Sequence, residues 1–149
     1  MKSSGLAWLI FLTASSTPLY AADLSSPVGL WQTIDDHSGK PGGLIRIELV
    51  DGQYQGWIEK IFPDPGEDPN PKCARCEGAR RNQPVVGLNF MWGLTKRGDE
   101  FQGGEILDPK TGKIYRARLK LEDGGKKLNV RGFIGLSLLG RSQVWHRAE

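Results

Sequence analysis

The chain has 149 residues, with 20 Lys and Arg against 17 Asp and Glu, a formal net charge of +3 and 38% hydrophobic residues. A charge this small, with both signs interleaved, gives no grounds for a nucleic-acid or acidic-lipid partner. The length suits one domain with a real core.

The first residues carry Lys2, an apolar run from Gly5 to Ala14 and small residues at Ala21-Ala22. This is the pattern of a secretory leader cut after Ala21 or Ala22. The run is too short for a membrane span, which needs about 20 apolar residues. No cysteine lies near the cut, so a lipid anchor is not expected. The expected division is residues 1–22 as a removed leader and 23–149 as one domain, periplasmic or secreted and not membrane-spanning.

No long stretch after the leader has helical periodicity. Short β-like runs are separated instead by Gly, Asp, Asn and Pro. The first is Val28–Ile34. Leu44–Val50 alternates Ile45, Ile47 and Leu49 against Arg46 and Glu48. Asp51-Gly52 makes a tight turn into the third run, Gln53–Phe62. A Pro-rich loop of about 22 residues, Pro63 to Pro84, holds the two cysteines. Val85–Thr95 then places Val86, Leu88, Phe90, Trp92 and Leu94 in step. Glu100–Leu107 follows, with Gly103-Gly104 suggesting a bulge or a close backbone approach.

The sixth run is the clearest: Tyr115, Ala117, Leu119 and Leu121 alternate with Arg116, Arg118 and Lys120. One face is buried and one is wet, as in an antiparallel sheet. Lys127–Ile134 and Ser142–Arg147 complete the series. The Gly135–Arg141 segment can extend either neighbour. Eight sequential runs predict an all-β fold, an antiparallel up-and-down barrel, since closure removes exposed sheet edges. A two-sheet sandwich is the competing arrangement.

In such a barrel, alternate loops gather at one end. Asp35–Gly43, the cysteine loop, Asp108–Gly112 and Gly135–Arg141 fall together and are the longer, more polar set. That end is the expected functional mouth.

Gly29-Leu30-Trp31 resembles the Gly-x-Trp signature of lipocalin-like (calycin) barrels. The resemblance implies a basic residue packed across Trp31 at the closed end, with Arg147 placed for it and Arg131 as a second candidate. The whole order looks like the domain-of-unknown-function 2147 family of small exported bacterial proteins. It comprises Gly-Leu-Trp-Gln-Thr-Ile-Asp-Asp-His-Ser-Gly-Lys, the Cys-x-x-Cys loop, Gly-Gly-Glu-Ile-Leu-Asp-Pro-Lys-Thr-Gly-Lys-Ile-Tyr and Val-Arg-Gly-Phe-Ile-Gly-Leu-Ser-Leu-Leu-Gly-Arg-Ser-Gln-Val-Trp. The likeness runs from Val28 to Arg147. It implies a lipocalin-like barrel and no established activity.

Cys73 and Cys76 have three possible roles. Prolines flank them and no amphipathic helix follows, which argues against a thioredoxin-type site. In an exported chain an oxidised pair is expected, pinning the loop with about 2 kcal/mol on the loop-entropy estimate. The alternative is a metal site of Cys73, Cys76, His37 and Asp108 at the same end. Asp35, Asp36 and His37 read as a polar turn, and Asp108-Pro109 as a strand-ending turn. Arg80-Arg81 reads as a solvated pair. No P-loop, dinucleotide fingerprint or zinc-protease helix is present, and no cofactor is expected.

Trp57, Phe90, Trp92 and Tyr115 are the candidate walls of a ligand site. Simple alternation points Arg131 outward; a bulge would turn it inward to bind a carboxylate. The leading expectation is a monomeric binding protein for a small hydrophobic or amphipathic ligand. The alternatives are a filled-barrel module that binds an envelope protein through its mouth loops, and a metal protein or enzyme.

Overall fold

The computed structural model describes residues 21–136 and 139–149. The expected leader lies almost wholly outside them, as do Ser137 and Leu138. Eight strands form a closed barrel in chain order, each antiparallel to the next, with β1 pairing β8 to close it. They are β1 Gly29–Ile34, β2 Pro41–Val50, β3 Gln53–Ile61, β4 Asn89–Arg97, β5 Glu100–Leu107, β6 Ile114–Glu122, β7 Lys127–Phe133 and β8 Gly140–Arg147.

Three boundaries differ from the sequence reading. β2 begins at Pro41, three residues before Leu44, because Gly43 pairs with both Thr33 and Ile61. β4 begins at Asn89 instead of Val85. Residues 85–88 finish the cysteine loop: the amide of Gly87 donates to the Ile58 carbonyl at 2.7 Å, and Val86 points to solvent. β7 ends at Phe133, which leaves Ile134 beyond the sheet and 63% exposed instead of inside it.

The alternation of β4 also breaks. Phe90, Met91 and Leu94 are buried, while Trp92 turns outward. The register with β3 shifts on both sides of Gly56, which faces Met91. Gly93, at φ 76°, packs on Gly104, where an added Cβ would lie 2.4 Å from the Trp92 carbonyl oxygen. The close backbone approach expected at Gly103-Gly104 is therefore present, with a register shift between Phe101 and Gly104.

The two ends of the barrel are built differently. Tight connections close one end, including the Asp51-Gly52 turn with both residues at positive φ, as a type I′ hairpin requires. Here the interior is solid. Trp31, Ile47, Met91, Leu94, Phe101, Leu119 and Leu128 are fully buried, and Tyr54 meets the Phe101 ring edge-on at 4.8 Å. The Arg147 guanidinium lies 4.3 Å from the centre of the Trp31 ring. It donates to the carbonyls of Gly125 at 2.7 Å, Ser26 at 2.7 Å and Val28 at 3.0 Å. Trp31 Nε1 donates to the Pro27 carbonyl at 2.7 Å. The arginine thus ties the segment before β1 across the end of the barrel, and burial pushes its pKa down from the ordinary value.

Candidate functional site

The opposite half of the barrel is hollow. A cavity of about 1130 Å³ opens at the end where the β1–β2, β3–β4, β5–β6 and β7–β8 loops gather. Its wall follows from strand periodicity. Moving toward the mouth, the inward positions are Ile45 after Ile47, Ile58 after Gly56, Leu107 beyond Phe101, Tyr115 beyond Ala117 and Leu119, and Val130 beyond Leu128. The Phe90 and Trp145 rings, with centroids 6.3 Å apart, complete the apolar lining.

Gln143 is the polar group on the β8 wall. Its side-chain oxygen accepts from Trp145 Nε1 at 3.2 Å. The carboxylate of Asp36 accepts from Arg141 Nε at 2.6 Å. The Arg141 hydrogen bond holds the Asp36 carboxyl below its ordinary pKa, with desolvation opposing. The Asp36–Arg141 bond ties the β1–β2 loop to β8 where the barrel closes.

The cysteine loop covers one side of the mouth. Cys73 and Cys76 form a disulfide and are buried. The loop folds back as a small hairpin: the Cys73 amide donates to Gln83 at 2.8 Å and the Val85 amide to Pro71 at 2.9 Å. Its backbone rests on the β5–β6 turn. An added Cβ on Gly112 would lie 2.0 Å from the Arg75 carbonyl oxygen, and Cys73 Sγ is 3.4 Å from the Pro109 carbonyl oxygen. Arg80 from this loop lies 4.0 Å from the Trp92 ring centre and donates to the Asn89 carbonyl at 3.1 Å.

The candidate residues divide accordingly. Phe90 and Tyr115 line the cavity; Trp57 and Trp92 do not. Trp57 shares the outer face of β3 with Glu59, which pairs with Arg46 at 2.8 Å. Trp92 lies outside, between Arg80 and Glu105 Oε2, which accepts from Trp92 Nε1 at 3.0 Å. Arg131 follows simple alternation, pairs with Ser142 across β7 and β8, and donates to its Oγ at 2.9 Å. It is not part of the cavity wall.

Asp35 and Asp108 reach the mouth, but their carboxylates serve their own turns. Asp35 accepts from the amides of His37 and Ser38; Asp108 accepts from the Lys110 amide and the Thr111 hydroxyl. The bonds from Ser38 lower the Asp35 pKa. His37 is exposed and lies off the cavity wall. The metal-site alternative gains no support: the two sulfurs are bonded to each other, and among the described residues no three or more His, Cys, Asp or Glu side chains gather as metal ligands.

Sequence reading missed Ile45, Ile58, Val130, Gln143 and Trp145 as lining. The alternation of β2 and β7 marked Ile45 and Val130 as inward. What it lacked was their height along the barrel axis, which depends on register.

A closed eight-stranded antiparallel barrel, solid at one end and open at the other, defines a lipocalin-like protein. The chain belongs to the domain-of-unknown-function 2147 family, described as an uncharacterised protein conserved in bacteria, which matches residues 29–147. No curated protein matches. Among solved structures, a Helicobacter pylori protein described as belonging to the lipocalin family is similar at a TM-score of 0.69. It is 19% identical, and the match covers 82% of each chain. Likeness at that identity is a statement about fold.

Proposed function

We infer that this protein is an exported carrier, periplasmic or extracellular, that holds a small hydrophobic or amphipathic molecule in the mouth half of its barrel. The observation that carries this is the cavity of about 1130 Å³, apolar on its inner wall and charged at its rim, above a solid floor. Its volume lies just above the range of ordinary ligand pockets, about 300–1,000 Å³. An apolar interior open to water favours an apolar guest, since each buried CH₂ contributes about 0.8 kcal/mol. Export rests on the leader pattern of Lys2, Gly5 to Ala14 and Ala21-Ala22 and on the oxidised cysteines. The closed sheet has no edge to pair with another chain, which supports a monomer.

The test is native mass spectrometry of the protein purified from a bacterial periplasm, against the same sample denatured. Bound mass of lipid size that denaturation removes is the expected result, on a chain beginning at Ala22 or Asp23. Gly132→Leu should lower that occupancy. Gly132 lines the cavity, and a Cβ there meets Ile106 and Tyr115 at ordinary contact distances, 3.5 and 3.6 Å, so the rest of the side chain enters the hollow. A bare chain that also fails to take up an apolar fluorescent probe would sink the carrier reading. It would leave the second reading, contact with an envelope protein through the loops, for which the exposed Ile134, Leu136 and Leu139 at the mouth speak.

A further inference from the structure

The charges on the rim are unevenly committed. Cations on the rim of the cavity are Lys40, Lys60, Lys72, Arg75, Lys110 and Arg141. Lys40 pairs with Asp64 at 3.8 Å, Arg141 pairs with Asp36 at 2.6 Å, and Lys60 lies over the Phe62 ring at 5.4 Å. Among the described residues, no carboxylate lies within ion-pairing distance of Lys72, Arg75 or Lys110. The rim acids are engaged elsewhere. Asp35 and Asp108 cap their turns, Glu67 accepts the Asp64 amide at 3.0 Å, and Asp68 accepts the Asn70 amide at 2.8 Å.

The three uncommitted cations also share one platform. Lys72 precedes the disulfide, whose Cys73 sulfur touches Pro109, the neighbour of Lys110. The Arg75 carbonyl packs on Gly112 of the same β5–β6 turn. The docked hairpin and turn therefore carry Lys72, Arg75 and Lys110 on one arc of the rim, from a backbone fixed by the disulfide and by hydrogen bonds. Below that arc the wall is apolar: Val85, Leu107, Phe90 and Tyr115.

We propose that the ligand is an amphiphile with an apolar tail and an anionic head, carboxylate or phosphate, received by Lys72, Arg75 and Lys110 while the tail descends the barrel. This rests on the carrier reading and adds the polarity of the guest. Cations at the cavity's lip with no carboxylate within ion-pairing distance favour an anionic head over a neutral or cationic one, and Arg75 offers the paired donors that both oxyanions match.

The experiment is titration calorimetry with four probes that share a twelve-carbon tail, each below its micelle threshold: laurate, dodecyl phosphate, monolaurin and dodecyltrimethylammonium. The wild-type protein should bind the two anions roughly tenfold more tightly than monolaurin, and the cationic probe more weakly than either. A combined variant, Lys72→Gln, Arg75→Gln and Lys110→Gln, changes exposed side chains only. It should bring the anions to the level of monolaurin and leave monolaurin unchanged, with an unaltered melting temperature. Added salt should narrow the preference in the wild type alone. A preference for dodecyl phosphate over laurate, or the reverse, would identify the head. Equal affinity for laurate, dodecyl phosphate and monolaurin, or an anion preference that survives the triple variant, would overturn the proposal and leave the carrier standing. Failure of all four probes to bind would remove the carrier reading itself.

Discussion

Arg147 shows how one side chain closes a barrel. Its planar head covers the Trp31 ring and reaches three backbone carbonyls on two sides of the opening. Hydrogen bonds from a charged donor contribute about 1.5–3 kcal/mol each in favourable cases, and they are not additive. Arg147→Ala should therefore destabilise the fold by about 3 kcal/mol, a fall in Tm of roughly 10 °C. Arg147→Lys should recover only part of that, because an ammonium has neither the fork nor the flat face. Asp36 makes the opposite point. Its pair with Arg141 is short but wet, with side chains 32% and 60% exposed, so its contribution is at most about 1 kcal/mol. Its pKa is lowered in the fold, so the contribution is present above the ordinary carboxylate range and is lost as pH falls through the lowered value. Asp36→Asn should cost up to about 1 kcal/mol at neutral pH. The difference should shrink as pH falls below the ordinary carboxylate range, when urea midpoints are compared.

Among the elements, the cysteine hairpin depends most on a single position outside itself. Gly112 has φ 73°, and a Cβ there would fall 2.0 Å from the Arg75 oxygen and 2.5 Å from its carbonyl carbon. Backbone atoms on both sides would have to separate. Gly39 has φ 70° with nothing near its missing Cβ, so it bears the left-handed backbone cost of about 1–2 kcal/mol and no clash. Gly112→Ala should lift the hairpin, with faster amide exchange at Cys73, Asn82 and Val85 and little change in β5 to β7. Gly39→Ala should leave those three amides as they are. Sequence reading saw a loop, a disulfide and a turn; that the loop lies on the turn became visible only from their packing.

For the molecule as a whole, the solid floor sets a length. The hollow ends where the fully buried Met91, Leu94, Phe101 and Leu119 begin. In a series of straight-chain guests, affinity should rise about fourfold per added CH₂, the equivalent of about 0.8 kcal/mol. The gain should stop when the tail meets the floor. A series measured by displacement of a fluorescent probe would show the plateau, and a rise that never levels would mean that the floor yields or the tail lies elsewhere.

Much of this architecture was legible in the chain itself. Alternation along β2, β6 and β7 marked the inward faces, the Asp51-Gly52 pair marked a tight turn, and the order of eight runs placed the long loops at one end. These are local properties: side-chain period and turn chemistry act between neighbours in sequence. Three things required the assembled barrel. Trp92 faces outward because a register shift near Gly56 reverses the parity that the sequence suggests. The mouth end of the barrel holds a cavity because strand stagger and the sizes of residues from all eight strands fix volume together. Lys72, Arg75 and Lys110 share an arc because a hairpin from one connection packs on a turn from another. Each depends on contacts between distant segments, which no local pattern encodes.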